Sequence, residues 1–438
     1  MQLEEEKRPF GLLKQAERQE KMTAEYNIAW LNYDQQADLE QVLAAEMAKL
    51  GLQPYAQHYM APKGNFYVLR AENISNAAAN ILKQECLAKG AEVAIHPMVI
   101  VGRAPVSAVI MMATERQYQL ICEKLRLQQF GLPALAEAIT TAIQNIKKSH
   151  WRIPYGKEQK KELILGEKTL VMGILNLTPD SFSDGGSYPD LAAAVARAKE
   201  MAAEGADIID IGGESTRPNY IPVTVEEEIQ RVVPVIQAVK EAVNLPVSID
   251  TYKPQVAAAA LAAGADILND IWGLQFDPRM AEIAAEYQAP VVAMHNQEDR
   301  GYGKAAKYPP ELKIQGDMLG DMLAFFRKSL AIGQAAGMQE NQFIFDIGFG
   351  FGKNHQQNLA ALRALASLKV LGRPLFIGTS KKSTIGEVLQ KEVTDRAWGT
   401  AATVAFGIQA GAQMVRVHDV KETVDVAKVT DAILASIR

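Results

Sequence analysis

Residues 247–270 read VSIDTYKPQVAAAALAAGADILND, which is an apolar strand, a helical stretch and a second apolar strand. The strands VSID and ILND are short, and each ends in an acidic or amide side chain. Between them, Gln255–Ala263 follows a proline and is rich in alanine, which favours a helix. Strand–helix–strand units with continuous apolar strands are typical of parallel sheets buried on both faces. The stretch therefore predicts a parallel β/α architecture.

The same unit recurs from Lys168 to the end of the chain. Apolar strands begin at Leu170, Ile208, Val247, Ile267, Val291, Phe343, Leu375 and Met414. Helical segments lie between and after them, at Ala192–Ala203, Glu226–Ala242, Gln255–Ala263, Arg279–Tyr287, Gly316–Ala336, Asn358–Leu368, Thr394–Ala410 and Glu422–Ile437. A doubly wound sheet alternates in the same way but does not require eight repeats. Eight repeats over about 270 residues predict an α/β fold of the (β/α)₈ TIM-barrel type.

The 438 residues exceed the size of one ordinary domain. We expect a polar N-terminal segment at 1–26, a smaller accessory α/β domain at 27–150, a linker at 151–165 and the barrel at 166–438. The accessory domain should contain strands at Ile28–Tyr33, Phe66–Arg70, Val93–Ile95 and Val106–Met112, and helices at Leu39–Leu50, Asn76–Lys89, Glu115–Leu127 and Pro133–Ile146. Its residues indicate no catalytic set, so we expect it to pack on the barrel, assist assembly or bind a small regulator.

Composition is that of a soluble globular protein, with 48% hydrophobic and 22% charged residues. A net charge of -5 argues against nucleic acid or a membrane surface as the partner. The first residues are charged and no run approaches the roughly 20 apolar residues of a membrane span. We therefore expect a cytoplasmic protein. Cys86 and Cys122 have no CxxC spacing and no histidine cluster, so both are expected to be buried thiols.

Polar side chains lie at the end of every barrel strand. They are Asn176, Asp210, Asp250, Asn269 with Asp270, His295, Asp346, Ser380, and Arg416 with His418. In a TIM barrel these strand ends form one face, where active sites are built. Any one of them could simply cap a turn. For Asp250, which precedes Thr251 and Pro254, a role as the N-cap of the next helix remains open. Eight around one rim are better explained by a shared pocket.

Two kinds of strand end can be distinguished by their chemistry. Residues 212–218 (GGESTRP) and 378–383 (GTSKKS) offer glycines, hydroxyls and cations suited to phosphate oxygens, although neither has the P-loop frame. Arg416 and His418 project to the same side of the eighth strand. These ends predict an anionic, phosphorylated ligand. Carboxylates and an amide suit instead a heterocycle bearing N–H donors, and they occur at Asp250, Asn269 and Asp346.

The same residues lie in an ordered series of motifs. The runs are GILNLTPDSFSDGG (173–186), DIGGESTRP (210–218), SIDT (248–251), NDI (269–271), DIGFGFGK (346–353) and RVHD (416–419). From about Gly166 to Arg438 the chain thereby resembles the dihydropteroate synthase family of pterin-binding TIM barrels. The resemblance implies condensation of (7,8-dihydropterin-6-yl)methyl diphosphate with 4-aminobenzoate, in folate biosynthesis, with diphosphate as the leaving group and sulfonamides as inhibitors.

The resemblance also implies roles for individual residues. Asn176 would contact Mg²⁺ and diphosphate, and Arg217, Lys382 and Asp250 would be needed for catalysis. Phosphate oxygens would be held by Thr216, Arg217, Arg416 and His418. The pterin would be surrounded by Asp250, Asn269, Asp346, Lys382 and Arg416, and the 4-aminobenzoate pocket would be lined by Phe351, Lys382 and Ser383. The loops at 180–186 and 214–218 would order over the site, and the enzyme would be a homodimer.

The chain departs from the family pattern at four places. Ile347 replaces a proline, Lys381 replaces an arginine, Asn219 replaces a glycine, and residues 298–301 (EDRG) replace a Gly-Thr-Pro-like segment. None removes a residue with an expected catalytic role. Two alternatives remain, a pterin-dependent methyltransferase and a paralogue that binds pterin without catalysis.

Overall fold

The computed structural model describes residues 39–100, 106–156, 161–177, 191–214, 223–297 and 317–436. The chain from Gln35 to Arg438 forms one compact unit. The expected strand Ile28–Tyr33, the segment 1–26 and the loop at 180–186 lie outside the described residues, as do Asn219 and residues 298–301.

A three-stranded antiparallel sheet forms the centre of the N-terminal domain, with strand order β1–β3–β2. Its strands are β1 Phe66–Ser75, β2 Glu92–Ile95 and β3 Val106–Thr114. Its helices are α1 Leu39–Lys49, α2 Pro54–Met60, α3 Asn76–Leu87, α4 Pro97–Ile100, α5 Glu115–Leu125 and α6 Leu132–Lys147. Each helix predicted from the sequence overlaps one of these, whereas α2 and α4 were not predicted.

Alternate residues of the sheet pack on the helices and form a core separate from that of the barrel. Leu82, Met111 and Ile121 are fully buried there. Cys86 and Cys122 lie in the same core and are free, as predicted. Burial raises the pKa of the Cys86 thiol to about 12, so this cysteine is protonated and inert at neutral pH.

An antiparallel hairpin occupies the segment that the sequence analysis treats as a linker. Its strands, β4 Trp151–Tyr155 and β5 Lys161–Leu165, pair along their whole length. Trp151, Ile153 and Leu165 are buried against inward side chains of the barrel strands. The hairpin therefore closes the lower end of the barrel. The alternation of buried and exposed residues along it is that of a strand with one buried face.

Eight parallel strands close into a barrel, which confirms the predicted fold class. The strands are β6 Leu170–Asn176, β7 Ile208–Gly212, β8 Val247–Asp250, β9 Ile267–Asp270, β10 Val291–Met294, β11 Phe343–Asp346, β12 Leu375–Ile377 and β13 Ala412–Val417. The helices are α7 Leu191–Glu204, α8 Val225–Ala242, α9 Pro254–Ala262, α10 Arg279–Glu286, α11 Met318–Ala335, α12 His355–Arg363, α13 Ser383–Leu389, α14 Ala397–Gln409 and α15 Val420–Ala435. Seven of the eight strands begin where the sequence predicts, and α13 was not predicted.

The N-terminal domain and the hairpin attach to the barrel at both of its ends. At the lower end, Asn145 Nδ2 donates to the Val370 carbonyl and Trp151 Nε1 to the Gly372 carbonyl, both at 2.9 Å. Near the upper end, Arg70 of β1 forms an ion pair of 2.6 Å with Asp317, the residue that caps α11. The domain therefore contacts the barrel near both of its ends.

Candidate active site

The inward side chains of the barrel change from apolar to polar toward the C-terminal ends of the strands. The lower layers consist of Met172, Ile208, Ile267, Val292, Ile344, Phe376 and Met414, packed on the hairpin. Two residues further along each strand, the inward positions are occupied by Asp210, Asn269, Asp346 and Arg416, among others. The polar groups thus rest on a solid apolar floor, at the end of the barrel where active sites form.

Arg416 lies at the centre of the polar group. Its Nε donates to Asp210 Oδ2 and its Nη2 to Asp250 Oδ2, each at 2.6 Å. Asn269 Nδ2 donates to the same oxygen, Asp210 Oδ2, at 3.3 Å. Asp210 therefore joins Asn269 to Arg416, and Arg416 in turn joins Asp250 to the group.

Burial controls the charges of this group. It raises the pKa of the Asp250 carboxyl to about 7, against the opposing effect of the Arg416 guanidinium. For Arg416 the penalty of burial is outweighed by Asp210 and Asp250, which raise the pKa of the guanidinium further. The pocket therefore holds a permanent cation and an acid that changes charge near neutral pH.

Asp346 approaches the same pocket from β11. Its Oδ1 accepts from the backbone N–H of Gly348 at 2.8 Å. Burial raises the pKa of Asp346 to about 6, and the Gly348 hydrogen bond and Lys382 oppose that rise. A methyl group added at Gly378, directly after β12, would lie 3.9 Å from Asp346 Oδ2 and 3.8 Å from Arg416 Cβ. The missing side chain leaves the space between these two residues open.

Lys382 and Phe351 form one wall of the pocket. The Lys382 ammonium lies 4.2 Å from the centre of the Phe351 ring, within the range of a cation–π contact. Gly350 has a φ of +91°, and a side chain there would lie 3.2 Å from Lys382 Cδ. Ser383, which follows Lys382, is the exposed first residue of α13. These predicted residues are thus neighbours at the rim.

Asn176 ends β6 beside Asp250. A methyl group added at Gly212 would lie 3.5 Å from Asn176 Oδ1 and 3.8 Å from Asp250 Oδ2, so both oxygens face the same small space. Among the described residues, no group of three or more His, Cys, Asp or Glu side chains could hold a metal ion.

His418 is held through its Nδ1, which lies 3.0 Å from Ser380 Oγ. Ser380 Oγ also accepts from the His418 backbone N–H at 3.2 Å, so its own proton can be donated to Nδ1. Burial, together with Arg416 and Lys381, lowers the pKa of the imidazole to about 4. His418 is consequently neutral at pH 7, with Nε2 as its N–H donor.

Two departures from the family pattern have a structural explanation. Ile347 is fully buried in the hydrophobic core around the barrel, and the Asp346–Gly348 hydrogen bond holds the turn that the proline would have stiffened. Lys381 adopts a φ of +56° and pairs with Asp419 at 2.8 Å. Only one of the two ammonium groups expected for phosphate, that of Lys382, therefore faces the pocket.

Sequence reasoning left several neighbours of the pocket without a role. Asp210 was noted only as a polar strand end, although its inward position facing Arg416 follows from the alternation of both strands. An apolar cluster also borders the site, made of Tyr252, Ile271, Trp272, Met294 and Phe351. Thr216 and Arg217 lie outside the described residues, which resume at Val223 after Glu214.

Fold and site together define a barrel enzyme of the pterin-binding class. The family described as "Pterin binding enzyme" matches residues 172–418. The dihydropteroate synthase of Bacillus subtilis is 49% identical over 268 residues, which cover 61% of this chain and 90% of that protein. The chain belongs to this family of pterin-binding enzymes, in its dihydropteroate synthase branch, and is a transferase.

Solved structures agree with this assignment. A crystal structure of dihydropteroate synthase from Clostridium difficile, in the presence of pteroic acid, has 46% sequence identity and a TM-score of 0.57, covering 61% of this chain and 98% of that one. A Yersinia pestis dihydropteroate synthase in a sulfonamide complex has 39% identity and a TM-score of 0.58, covering 64% of this chain and 99% of that one.

One relative also matches the region before the barrel. The probable bifunctional folylpolyglutamate synthase/dihydropteroate synthase of Halobacterium salinarum is 39% identical over 375 residues, covering 85% of this chain and 43% of that protein. Residues 166–438 are too few to contain such a match. The similarity therefore extends into the N-terminal domain.

Proposed function

We propose that the barrel joins (7,8-dihydropterin-6-yl)methyl diphosphate to 4-aminobenzoate. The C–O bond to diphosphate breaks, the C–N bond forms, and the aniline nitrogen loses a proton. The observation that carries the proposal is the Arg416 group, where carboxylates, an amide and a partly buried guanidinium meet in one pocket. That set of donors and acceptors suits a ring with guanidine-like N–H groups next to an anion.

The pterin ring is assigned to the deepest part of the pocket. Asp250, Asn269 and Asp346 would accept from or donate to its polar edge, and Lys382 would border it. The face of the ring would lie against Arg416, because the guanidinium is planar and fixed by two carboxylates. The buried surroundings strengthen each of these hydrogen bonds.

The diphosphate is assigned to the rim. Thr216, Arg217, Arg416 and His418 would bind its oxygens, His418 as a neutral Nε2–H donor because its pKa is lowered to about 4. Negative charge grows on the diphosphate as the C–O bond breaks, so fixed donors at this position lower the barrier. Arg217, Lys382 and Asp250 remain the residues proposed to be essential for catalysis.

A Mg²⁺ ion is proposed to bind with the diphosphate. Asn176 Oδ1 beside Asp250 supplies one hard oxygen ligand, and phosphate oxygens would supply others. Such a shared site fits Mg²⁺, which usually keeps several waters and binds through few protein groups plus substrate phosphates. When bound, the ion would neutralise charge on the leaving diphosphate.

The 4-aminobenzoate is assigned to the outer wall formed by Phe351, Lys382 and Ser383. The Phe351 ring offers an apolar face, and the Lys382 ammonium beside it offers a partner for the carboxylate. A sulfonamide of similar size and charge would compete for this wall. Competitive inhibition against 4-aminobenzoate, with no competition against the pterin diphosphate, is the expected kinetic pattern.

A homodimer is proposed through α14 and α15, together with the C-terminal end of α13 and the turn that follows it. Exposed apolar side chains cluster on these helices and the turn before α14, namely Val388, Leu389, Val393, Trp398, Phe406, Val429 and Ile433. Trp398 is 83% exposed, which is unusual for so large an apolar ring. Light scattering should give twice the chain mass, and Trp398→Glu with Phe406→Glu should give the monomer. A wild-type monomer at micromolar concentration would refute the dimer.

We also propose a cytoplasmic location. The buried free thiols Cys86 and Cys122 are consistent with a reducing compartment. Among the described residues, no helix is long and apolar enough to cross a membrane. Fractionation of the source cells should find the activity in the cytoplasmic extract.

The activity itself is tested by incubating the chain with Mg²⁺ and both substrates. Dihydropteroate should form only when 4-aminobenzoate is present. Transfer of a methyl group from a methylated pterin to a corrinoid protein, with no dihydropteroate formed, would favour the methyltransferase alternative instead.

A further inference from the structure

A buried asparagine on α12 connects the two halves of the wall assigned to 4-aminobenzoate. Phe351 lies in the glycine-rich loop after β11, whereas Lys382 and Ser383 lie at the start of α13. Asn358 belongs to α12, which lies between these two segments in the chain. Because Asn358 is 1% exposed, it forms no part of the pocket surface.

The side-chain amide of Asn358 uses its oxygen and both of its N–H groups. Oδ1 accepts from the Gly350 backbone N–H at 2.7 Å. Nδ2 donates to the Lys353 carbonyl at 3.2 Å and to Thr384 Oγ1 at 2.9 Å. Gly350 and Thr384 are each the direct chain neighbour of a wall residue. One amide therefore bonds to both halves of the wall, one residue away from the proposed ligand contacts.

Helix α12 gives Asn358 a fixed base. The helix begins with a capping box, in which Asn354 Oδ1 accepts from the Gln357 backbone N–H at 2.9 Å and Gln357 Oε1 accepts from the Asn354 backbone N–H at 2.8 Å. Ala361 and Leu362, further along the helix, pack into the hydrophobic core around the barrel. The bonds of Asn358 therefore attach the loop and α13 to one rigid helix.

The glycine-rich loop has internal bonds of its own, but these do not reach α13. The Phe351 N–H donates to the Gly348 carbonyl at 3.1 Å. Lys353 Nζ donates to the Gly348 and Phe351 carbonyls at 2.9 and 3.1 Å. Gly350 has a φ of +91°, so the loop turns sharply at the residue that Asn358 bonds. These contacts fix the shape of the loop, and its distance from α13 needs a further link.

Across the wall itself, the contact is between side chains. Lys382 Nζ lies 4.2 Å from the centre of the Phe351 ring, at the end of a flexible four-carbon stem. A contact at the end of such a stem does not fix the distance between two backbones. Asn358 can fix it, because a planar amide bonds the loop backbone on one side and the stiff, β-branched side chain of Thr384 on the other.

We propose that Asn358 is a positioning residue for 4-aminobenzoate. By bonding Gly350 and Thr384, it sets the separation between the glycine-rich loop and α13, and hence the width of the slot that receives the ring and its carboxylate. The inference rests on the proposed assignment of 4-aminobenzoate to this wall. Asp250 and Asn269 end barrel strands and do not depend on this link, so binding of the pterin should change little.

Thr384→Val tests the link most cleanly, because it removes the hydroxyl and keeps the size of the buried side chain. We expect the KM for 4-aminobenzoate to rise about tenfold, since a small displacement of binding groups is costly. The KM for the pterin diphosphate and kcat should each stay within about threefold of wild type. A merely destabilised enzyme would instead lose active fraction, and therefore kcat, at an unchanged KM.

Two further variants test the same link from either side. Thr384→Ser keeps the hydroxyl and should retain a KM for 4-aminobenzoate close to wild type. Asn358→Ala removes both bonds at once, so its KM for 4-aminobenzoate should rise at least as much as that of Thr384→Val.

His355→Ala is the matched control. His355 lies on the same helix and contacts the same hydroxyl, with its Nδ1 3.3 Å from Thr384 Oγ1, yet its side chain is exposed. Loss of this contact leaves the bonds of Asn358 in place. The variant should therefore keep wild-type KM values for both substrates.

Two results would overturn the inference. One is a folded Thr384→Val variant with a wild-type KM for 4-aminobenzoate. The other is an equal rise in KM for both substrates, which would mean that the substitution damages the whole site.

Failure of the proposed function can be told apart from failure of this inference. If the wild-type chain forms no dihydropteroate, the proposed function is wrong. The Kd of 4-aminobenzoate can still be measured by titration calorimetry with saturating 6-hydroxymethyl-7,8-dihydropterin and diphosphate. A Kd about tenfold higher in Thr384→Val than in wild type and His355→Ala would support the role of Asn358. Equal values, or no binding by wild type, would refute it.

Discussion

At the residue scale, the pocket depends on one partly buried guanidinium. Arg416 is held by two carboxylates from different strands, Asp210 of β7 and Asp250 of β8. Each carboxylate needs the cation because an unpaired charge is costly in a site closed below by the apolar layer. The same cation would face the substrate, so its loss should affect stability and catalysis together.

Replacing Arg416 by methionine tests this dependence. The variant leaves Asp210 and Asp250 buried without their partner, so we expect the free energy of unfolding to fall by about 3–5 kcal/mol. The value of kcat/KM should fall by about 100-fold or more. Arg152→Met is the control, because Arg152 forms an exposed pair with Glu162 that contributes about 0–1 kcal/mol. A variant of Arg416 with kcat/KM close to wild type would contradict the central position of this residue.

The raised pKa of Asp250 predicts a pH dependence of stability. The unfolded carboxyl titrates near pH 3.9, whereas burial raises the folded value to about 7. A group of this kind stabilises the fold fully below about pH 4, and that contribution is lost as the pH rises through 7. Chemical denaturation between pH 4 and 8 should therefore show wild type losing stability relative to Asp250→Asn. Parallel curves for the two proteins would contradict the raised pKa.

The sequence predicted which residues share the pocket better than it predicted how they contact one another. Their positions at the C-terminal ends of barrel strands were sufficient to predict that Asp250, Asn269, Asp346 and Arg416 share one rim. Side-chain pairing was not visible in the sequence: Lys381, at a backbone φ of +56°, pairs with Asp419.

At the element scale, the hairpin β4–β5 takes the place of the linker that the sequence predicted at 151–165. It closes the lower end of the barrel, where Trp151 packs on inward apolar side chains. A closed lower end keeps water out of the barrel interior and supports the polar layer above it. The hairpin is thus part of the barrel's core and provides no flexible connection.

Trp151→Ala should therefore destabilise the barrel. Loss of a buried tryptophan costs about 3–5 kcal/mol, and the Gly372 carbonyl also loses its hydrogen bond. KM and kcat at 20 °C should change little, because the hairpin and the pocket lie at opposite ends. The neighbouring Arg152→Ala, on the exposed face of the same strand, is the control for thermal melting. An unchanged melting temperature for Trp151→Ala would show that the hairpin does not support the barrel.

Element prediction succeeded where long periodic segments decided the structure. The starts of β6 to β12 follow from apolar runs bounded by glycine and polar residues. Besides α2 and α4 of the N-terminal domain, two short elements of the barrel escaped, namely the hairpin, which contains Pro154 and reads as a linker, and α13, which is only seven residues long. Both are fixed by packing against distant parts of the barrel, and such contacts leave little local pattern.

At the scale of the whole molecule, every described residue of the pocket comes from the barrel. The N-terminal domain contributes contacts at the barrel's side, through Asn145 and Arg70. Removing residues 1–148 should therefore lower the melting temperature but keep kcat and KM within about threefold of the full chain. Removing residues 1–165 also deletes the hairpin, and this shorter protein should unfold or aggregate. A well-folded 149–438 protein without activity would assign the N-terminal domain a part in catalysis.

The most direct test is to measure diphosphate and dihydropteroate in the same sample. Wild-type protein with Mg²⁺, the pterin diphosphate and 4-aminobenzoate should produce both in equal amounts. Lys382→Ala, folded and still able to bind the pterin, should produce neither at a comparable rate. If wild-type protein binds the pterin diphosphate but releases no diphosphate, the barrel binds pterins without catalysing the transfer, and the central claim is wrong.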